Sequence, residues 1–223
     1  GTFSATGSGC SGVVESTQPN SEKNLRTTPR AVARANVPVS TPTDAFVFVQ
    51  ARFIGGIEGN YKEKFVQLKQ HVRGVFGPVR EIGNRIVLDG LAINELPPNT
   101  GSMRCENLSF YQIGTNDNEA SQFAMVAESN TSDGYVGTRA PCHLESLEIS
   151  GDADKITFDS SKQQFILSAD KGRQATVAYR RAPGAAPEML SGQQFEYYRE
   201  KNEIRATEIT GVQTAGDLKA PRN

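Results

Sequence analysis

Any chemistry in this chain has to come from a short set of side chains. There are two histidines, His71 and His143, three cysteines, Cys10, Cys105 and Cys142, and no tryptophan. Cys142 and His143 are adjacent, but neighbouring strand residues point to opposite faces, which makes them a poor metal pair. Both histidines read as surface or turn residues. Asp152, Asp154 and Asp159 invite a calcium or acid–base reading. They flank a hairpin strand with Lys155 between them, so they read instead as solvated turn carboxylates. Arg180-Arg181, beside a Pro-Gly loop, could meet an anionic head group or simply end a strand in water. Gly7-Ser8-Gly9-Cys10-Ser11-Gly12 matches G-x-G-x-x-G, a fingerprint that has meaning only between a strand and a helix; neither flank qualifies. No G-x-S-x-G, H-E-x-x-H or P-loop pattern occurs. The residues argue against an enzyme and call for no catalytic residue, metal or cofactor.

The cysteines lie far apart, with no C-x-x-C pair. Cys105 and Cys142 could meet as a disulfide in an oxidising compartment, or remain two buried thiols. Asn107-Leu108-Ser109 and Asn130-Thr131-Ser132 are sequons that matter only in a eukaryotic secretory setting. The 223 residues carry a formal charge of -1 with both signs interspersed. That leaves no basic field of the kind that nucleic acid or an anionic membrane requires. No apolar run reaches the ~18 residues of a membrane span. With no leader pattern, the chain reads either as cytosolic or, better suited to an opening Gly1 in place of Met, as a processed or excised piece. Hydrophobic residues make up 37% of the chain, low enough to suggest that part of it is unpacked.

That part is expected at residues 1–45, rich in Ser, Thr, Asn, Pro and Gly and without apolar period. Such a segment cannot bury enough surface to offset its ordering entropy, so it reads as a disordered linker or tail. Residues 213–223 read as a polar C-terminal tail. Between them the character is β. Phe46 to Ile54 is β-branched and aromatic and closes on Gly55-Gly56. From Tyr61 to Phe76 both a helical stripe and an alternating strand fit, and Gly74, Gly77 and Pro78 favour the strand. Further strands are expected at 85–91, 104–112, 122–128 and 144–151. Five- to eight-residue strands at this spacing point to a sandwich, barrel or open roll.

A repeat sharpens the architecture. Asp154 to Asp159, Ser160 to Gln163 and Gln164 to Leu167 align with Gln194 to Tyr198, Arg199 to Asn202 and Glu203 to Ala206. The offset is constant at 39 residues, from Ile156 to Phe195 and from Phe165 to Ile204. Each unit is an apolar alternation, a polar turn with a lysine, and a second alternation: a β-hairpin. A weaker copy runs from Arg104 to Met125, with Leu108 and Phe110 in the places of Ile156 and Phe158. Gln174 to Arg180 supplies one more strand. Repetition without helices implies stacked hairpins sharing one core. The inward set is Ile156, Phe158, Phe165, Leu167, Val177, Tyr179, Phe195, Tyr197 and Ile204. Lys155, Thr157, Gln164, Thr176, Glu196 and Arg205 face outward, and a one-residue slip would invert every one of these.

The run from Gly151 to Asp159, Lys162 and Phe165-Ile166-Leu167, followed by Ser191 to Tyr197 and Ile204, resembles the OstA-like repeat of lipopolysaccharide-transport proteins. Val66 to Phe76 is similar to that family's opening strand. The resemblance covers residues 46–212 and is carried by 145–210; the inserts at 116–122 and 129–137 depart from it. It implies an all-β, antiparallel β-jellyroll, an open β-roll of stacked hairpins behind a disordered N-terminal segment. It further implies a periplasmic or cell-envelope location, either free or anchored through an upstream segment. The nine inward residues would hold the acyl chains of lipopolysaccharide or another long-chain lipid in an apolar trough. Open edges would pair with other β-jellyroll transport proteins, and no nucleic acid is involved. A β-repeat structural or adhesive module of a cell envelope or virion, without a ligand, is the alternative.

Overall fold

The computed structural model describes residues 2–6, 12–19, 46–79, 86, 96, 98–113, 122–129, 141–182 and 184–213. Among them are fourteen strands: β1 (Thr2–Thr6), β2 (Gly12–Pro19), β3 (Phe46–Phe53), β4 (Gly56–Asn60), β5 (Phe65–Val79), β6 (Gly101–Ile113), β7 (Gln122–Glu128), β8 (Cys142–Ser146), β9 (Ile149–Ala153), β10 (Lys155–Asp159), β11 (Gln164–Ser168), β12 (Ala175–Tyr179), β13 (Glu188–Tyr198) and β14 (Glu203–Gln213). Every pairing is antiparallel. The chain is all-β, as its alternations require.

Eight of these strands close into an antiparallel barrel, β6–β7–β10–β11–β13–β12–β9–β8 and back to β6. The barrel divides into two halves, because two long strands, β6 and β13, serve both. Along one edge, β6 gives Asn107–Ile113 to β7 and Gly101–Arg104 to β8. In the same way β13 gives Gln194–Tyr198 to β11 and Glu188–Gly192 to β12. A single residue, Asp154, separates β9 from β10, which sit at the centres of the two halves. Its backbone stays satisfied through the bend: its N–H donates to Ser168 O at 3.1 Å and its carbonyl accepts from Ser129 N at 2.8 Å.

A crease therefore runs across the sheet. It continues at Gln70 and His71 of β5, both at positive φ, where the β5–β6 register slips. It reaches β14 at Glu208, also at positive φ, beside a second slip. Bulges of this kind bend a strand and increase its twist. Outside the barrel, β5 pairs along β6, then forks toward β3–β2 and β4–β1. On the far side β14 pairs along β13. The roll expected to be open is thus closed over eight strands and extended at both ends.

Three expectations are corrected. Within residues 1–45, the stretches Thr2–Thr6 and Gly12–Pro19 are strands rather than linker. Their backbones pair with β4 and β3. The stretch from Leu144 to Gly151 is not one strand but the hairpin β8–β9. The Ser146 hydroxyl accepts from Ile149 N at 3.2 Å and donates to Ile149 O at 3.0 Å, fixing that turn. Asp154 is buried rather than solvated. The strand expected at 85–91 lies outside the described residues, apart from Ile86, as do residues 20–45 and 214–223.

Candidate functional site

The expected inward set lines the barrel. Ile156 stands opposite Leu167, and Phe158 opposite Phe165. In the next ladder Phe165 pairs with Tyr197 and Leu167 with Phe195. Val177 and Tyr179 come from the opposing half, and all eight of these residues are buried. The halves touch through side chains, the rings of Tyr179 and Tyr197 lying 6.2 Å apart, and Phe76 of the flanking β5 brings its ring to 5.9 Å from that of Phe165. A Cβ at Gly151 would come within 2.6 Å of Thr176 O and 2.9 Å of Leu167 Cδ2. Only glycine lets the β9 backbone approach Leu167 that closely. Within the barrel these side chains fill one another's space.

Ile204, the ninth, is only half-buried. It opens an apolar row that the repeat alone did not reveal. On β14, Ile204 and Ala206 pair with Tyr197 and Phe195, while Ile209 and Val212 pair with Gly192 and Leu190. All four therefore share the inward face of the barrel wall, yet Ile209 is 54% exposed and Val212 55%. Among the described residues, β14 has no strand on its other edge. Over the described residues, the interior face continues past the last ladder and ends uncovered. Alternation beyond Ala206 is the signal that could have found it, once the extra residue near Glu208 is allowed for.

The rim opposite the crease is latched by the 3-10 turn Arg199–Lys201 between β13 and β14. Arg199 Nη2 donates to Asn99 O at 3.1 Å and to Asn99 Oδ1 at 3.2 Å, reaching the start of β6. Asn202, at φ 45, donates through Nδ2 to Arg180 O at 3.2 Å and Arg181 O at 2.9 Å, just beyond β12. Its carbonyl accepts the Tyr179 hydroxyl, and its Oδ1 accepts the Tyr197 hydroxyl at 3.1 Å. Burial, with Glu148 nearby, pushes the Tyr197 phenol well above its usual range; burial also raises Tyr179.

The remaining polar candidates do not converge. His71 is exposed, 3.6 Å from Glu106, whereas His143 meets its cross-strand partner Asp152 at 2.8 Å on the outer face. Asp154 Oδ2 accepts Asp170 N at 2.8 Å, and Oδ1 faces Arg173 at 3.1 Å without hydrogen-bond alignment. Asp159 caps the β10–β11 turn. Partial burial raises its carboxyl, but Ser161 and Lys162 outweigh that and hold it below the ordinary range. Arg180 Nη1 donates to Leu147 O at 3.3 Å, and Arg181 pairs with Glu188 at 2.8 Å. Gln164 faces outward as expected, yet it is buried, donating to Glu196 Oε2 at 3.2 Å. Cys105 and Cys142 are buried thiols. Among the described residues, no group of three or more His, Cys, Asp or Glu side chains is placed to hold a metal ion. No family model matches the chain, and no curated protein or solved structure matches it either.

Proposed function

We propose that this chain is a lipid-handling scaffold of a cell envelope, without enzymatic activity, resembling the β-jellyroll bridges of lipopolysaccharide transport. The observation that carries the reading is the exposed inward row of β14: Ile204, Ala206, Ile209 and Val212 on an edge with no paired strand among the described residues, continuous with a sealed apolar interior. An apolar wall left half-finished favours an occupant. A partner sheet adding strands at β14 would complete it by β-augmentation. An acyl chain laid along it would gain about 0.8 kcal/mol per methylene buried. Both uses belong to one device, a conduit prolonged from one β-roll into the next, for which a periplasmic location is the natural setting.

A photoreactive residue placed at Ile209, Val212 or Val177 of the full chain, irradiated with purified lipopolysaccharide, tests this. Adducts at Ile209 and Val212 are expected, and adduct at Val177 would extend the path into the barrel. No adduct at any of the three overturns the lipid reading. What then remains is a β-repeat structural or adhesive module without a ligand. That second reading is favoured by the mutual filling of the barrel by Ile156, Phe165, Leu167, Val177 and Phe195.

A further inference from the structure

Two buried thiols stand at the end of one seam of the barrel. Strands β6 and β8 meet through Gly101↔Ser146, Ser102↔Glu145, Met103↔Leu144 and Arg104↔His143. The ladder stops there, and the same register carried one step further would set Cys105 opposite Cys142. The alternation of side chains agrees. Gly101, Met103 and Cys105 are buried on β6, and Ser146, Leu144 and Cys142 on β8, whereas Arg104 is exposed. Opposed residues of an antiparallel pair have Cα atoms about 4.5–5.5 Å apart. A disulfide needs roughly 4.4–6.8 Å. The two sulfurs also interact electrostatically: after burial, the nearness of Cys142 is the next cause that raises the Cys105 thiol. The location is a consequential one. The β6–β8 ladder has only four paired positions, and it ends here, where β6 leaves β8 for β7.

We propose that Cys105 and Cys142 are a redox-controlled staple that closes the β6–β8 seam covalently. Two S–H bonds break and one S–S bond forms. The two protons and two electrons pass to a disulfide donor of the oxidised-glutathione class, which leaves as two reduced thiols. Cys142 Sγ, which donates to Asp154 O at 3.6 Å in the reduced form, turns toward Cys105 instead. The nucleophile in such exchange is the thiolate. Burial holds Cys105 as the thiol, so exchange is slow once the barrel has closed and faster before it closes. The bond is therefore set during folding and is protected from reducing agents afterwards. The staple does not depend on the lipid reading and holds equally for a purely structural module.

Refolding the full chain in glutathione buffers of oxidising and reducing ratio tests the staple, followed by alkylation and unreduced peptide mapping. Cys10 is a third thiol and an internal competitor, so the Cys10→Ser chain is mapped in parallel. A Cys105–Cys142 linked peptide is expected as the main species under oxidising conditions in both chains. The oxidised protein should melt roughly 10 °C above the reduced protein, the size expected for closing a loop of about 37 residues. Linkage through Cys10, or an oxidised wild-type chain whose three thiols all remain alkylatable, overturns the proposal. An oxidised form that melts at or below the reduced form overturns the stapling role even if the bond is present.

Discussion

Strand β13 has β11 and β12 along one edge and β14 along the other, and the two sides of this strand invite comparison. In sequence, β11 and β14 are equivalent members of the repeat, with Phe165 in the place of Ile204 and Leu167 in that of Ala206. Both face inward and both pair with Phe195 and Tyr197. Yet Phe165 and Leu167 are buried, whereas Ile204 and Ala206 are half-covered and the row beyond them is exposed. The difference lies in what stands across the barrel. β11 faces β9 of the other half, with Gly151 brought against Leu167, whereas β14 lies outside the closed circuit of strands. Pairing and alternation orient a side chain; only the opposing layer buries it.

The widest gap should appear in truncations. Leu167→Ala should cost about 2–5 kcal/mol in chemical denaturation, and Ile204→Ala about 1 kcal/mol or less. Equal losses would mean that β14 is covered in solution. Glycines give a second contrast. Gly151→Ala forces a methyl against Thr176 O and should destabilise by about 1–3 kcal/mol. Gly211→Ala meets nothing nearer than Ser191 Cβ at 3.8 Å and should fall within about 0.5 kcal/mol of the parent.

The latch comes next in size. Arg199→Ala removes the link to Asn99 and should lower stability by about 1 kcal/mol. It should also increase labelling of a probe at Val177 if that rim is where the halves part. Titration gives the smallest effects. Tyr197 and Tyr179 bind their protons more tightly folded than unfolded, so their contribution is complete below about pH 10 and is lost as pH climbs beyond it. Alkaline unfolding of Tyr197→Phe should begin at higher pH than that of the parent. Asp159 has the opposite sign: its depressed carboxyl stabilises above the ordinary value of 3.8, and the contribution fades as pH falls below it. Asp159→Asn should flatten the acid limb slightly, within the small range of an exposed turn.

Much of this was legible in the residues. The hairpins 154–167 and 194–206 and the weaker copy at 104–125 are β10–β11, β13–β14 and β6–β7. The inward alternation from Ile156 to Tyr197 followed from period alone, since period specifies faces. What escaped depends on partners remote in sequence. Nothing local to Gly101–Arg104 announces Ser146–His143 as its partner, so the closure of the barrel was invisible. Asp154 looks like a turn carboxylate until Arg173 and Asp170 are brought around it. The strands within residues 1–45 escaped because Ser and Thr are poor predictors when the backbone of a neighbour does the recruiting. The uncovered row of β14 was half visible, hidden by the shift in period at Glu208.

The separation of Cys105 from Cys142 also has a meaning in time. A ribosome adding roughly 5–20 residues per second needs about 2–7 s to synthesise the chain between them. During that interval Cys105 has emerged and Cys142 has not, whereas Cys10 is a thiol already made. The order of synthesis therefore offers the wrong partner first. The pairing of β6 with β8 has to outcompete a contact that is available earlier, which makes oxidant supply during translation, and not only afterwards, a determinant of how cleanly the chain folds.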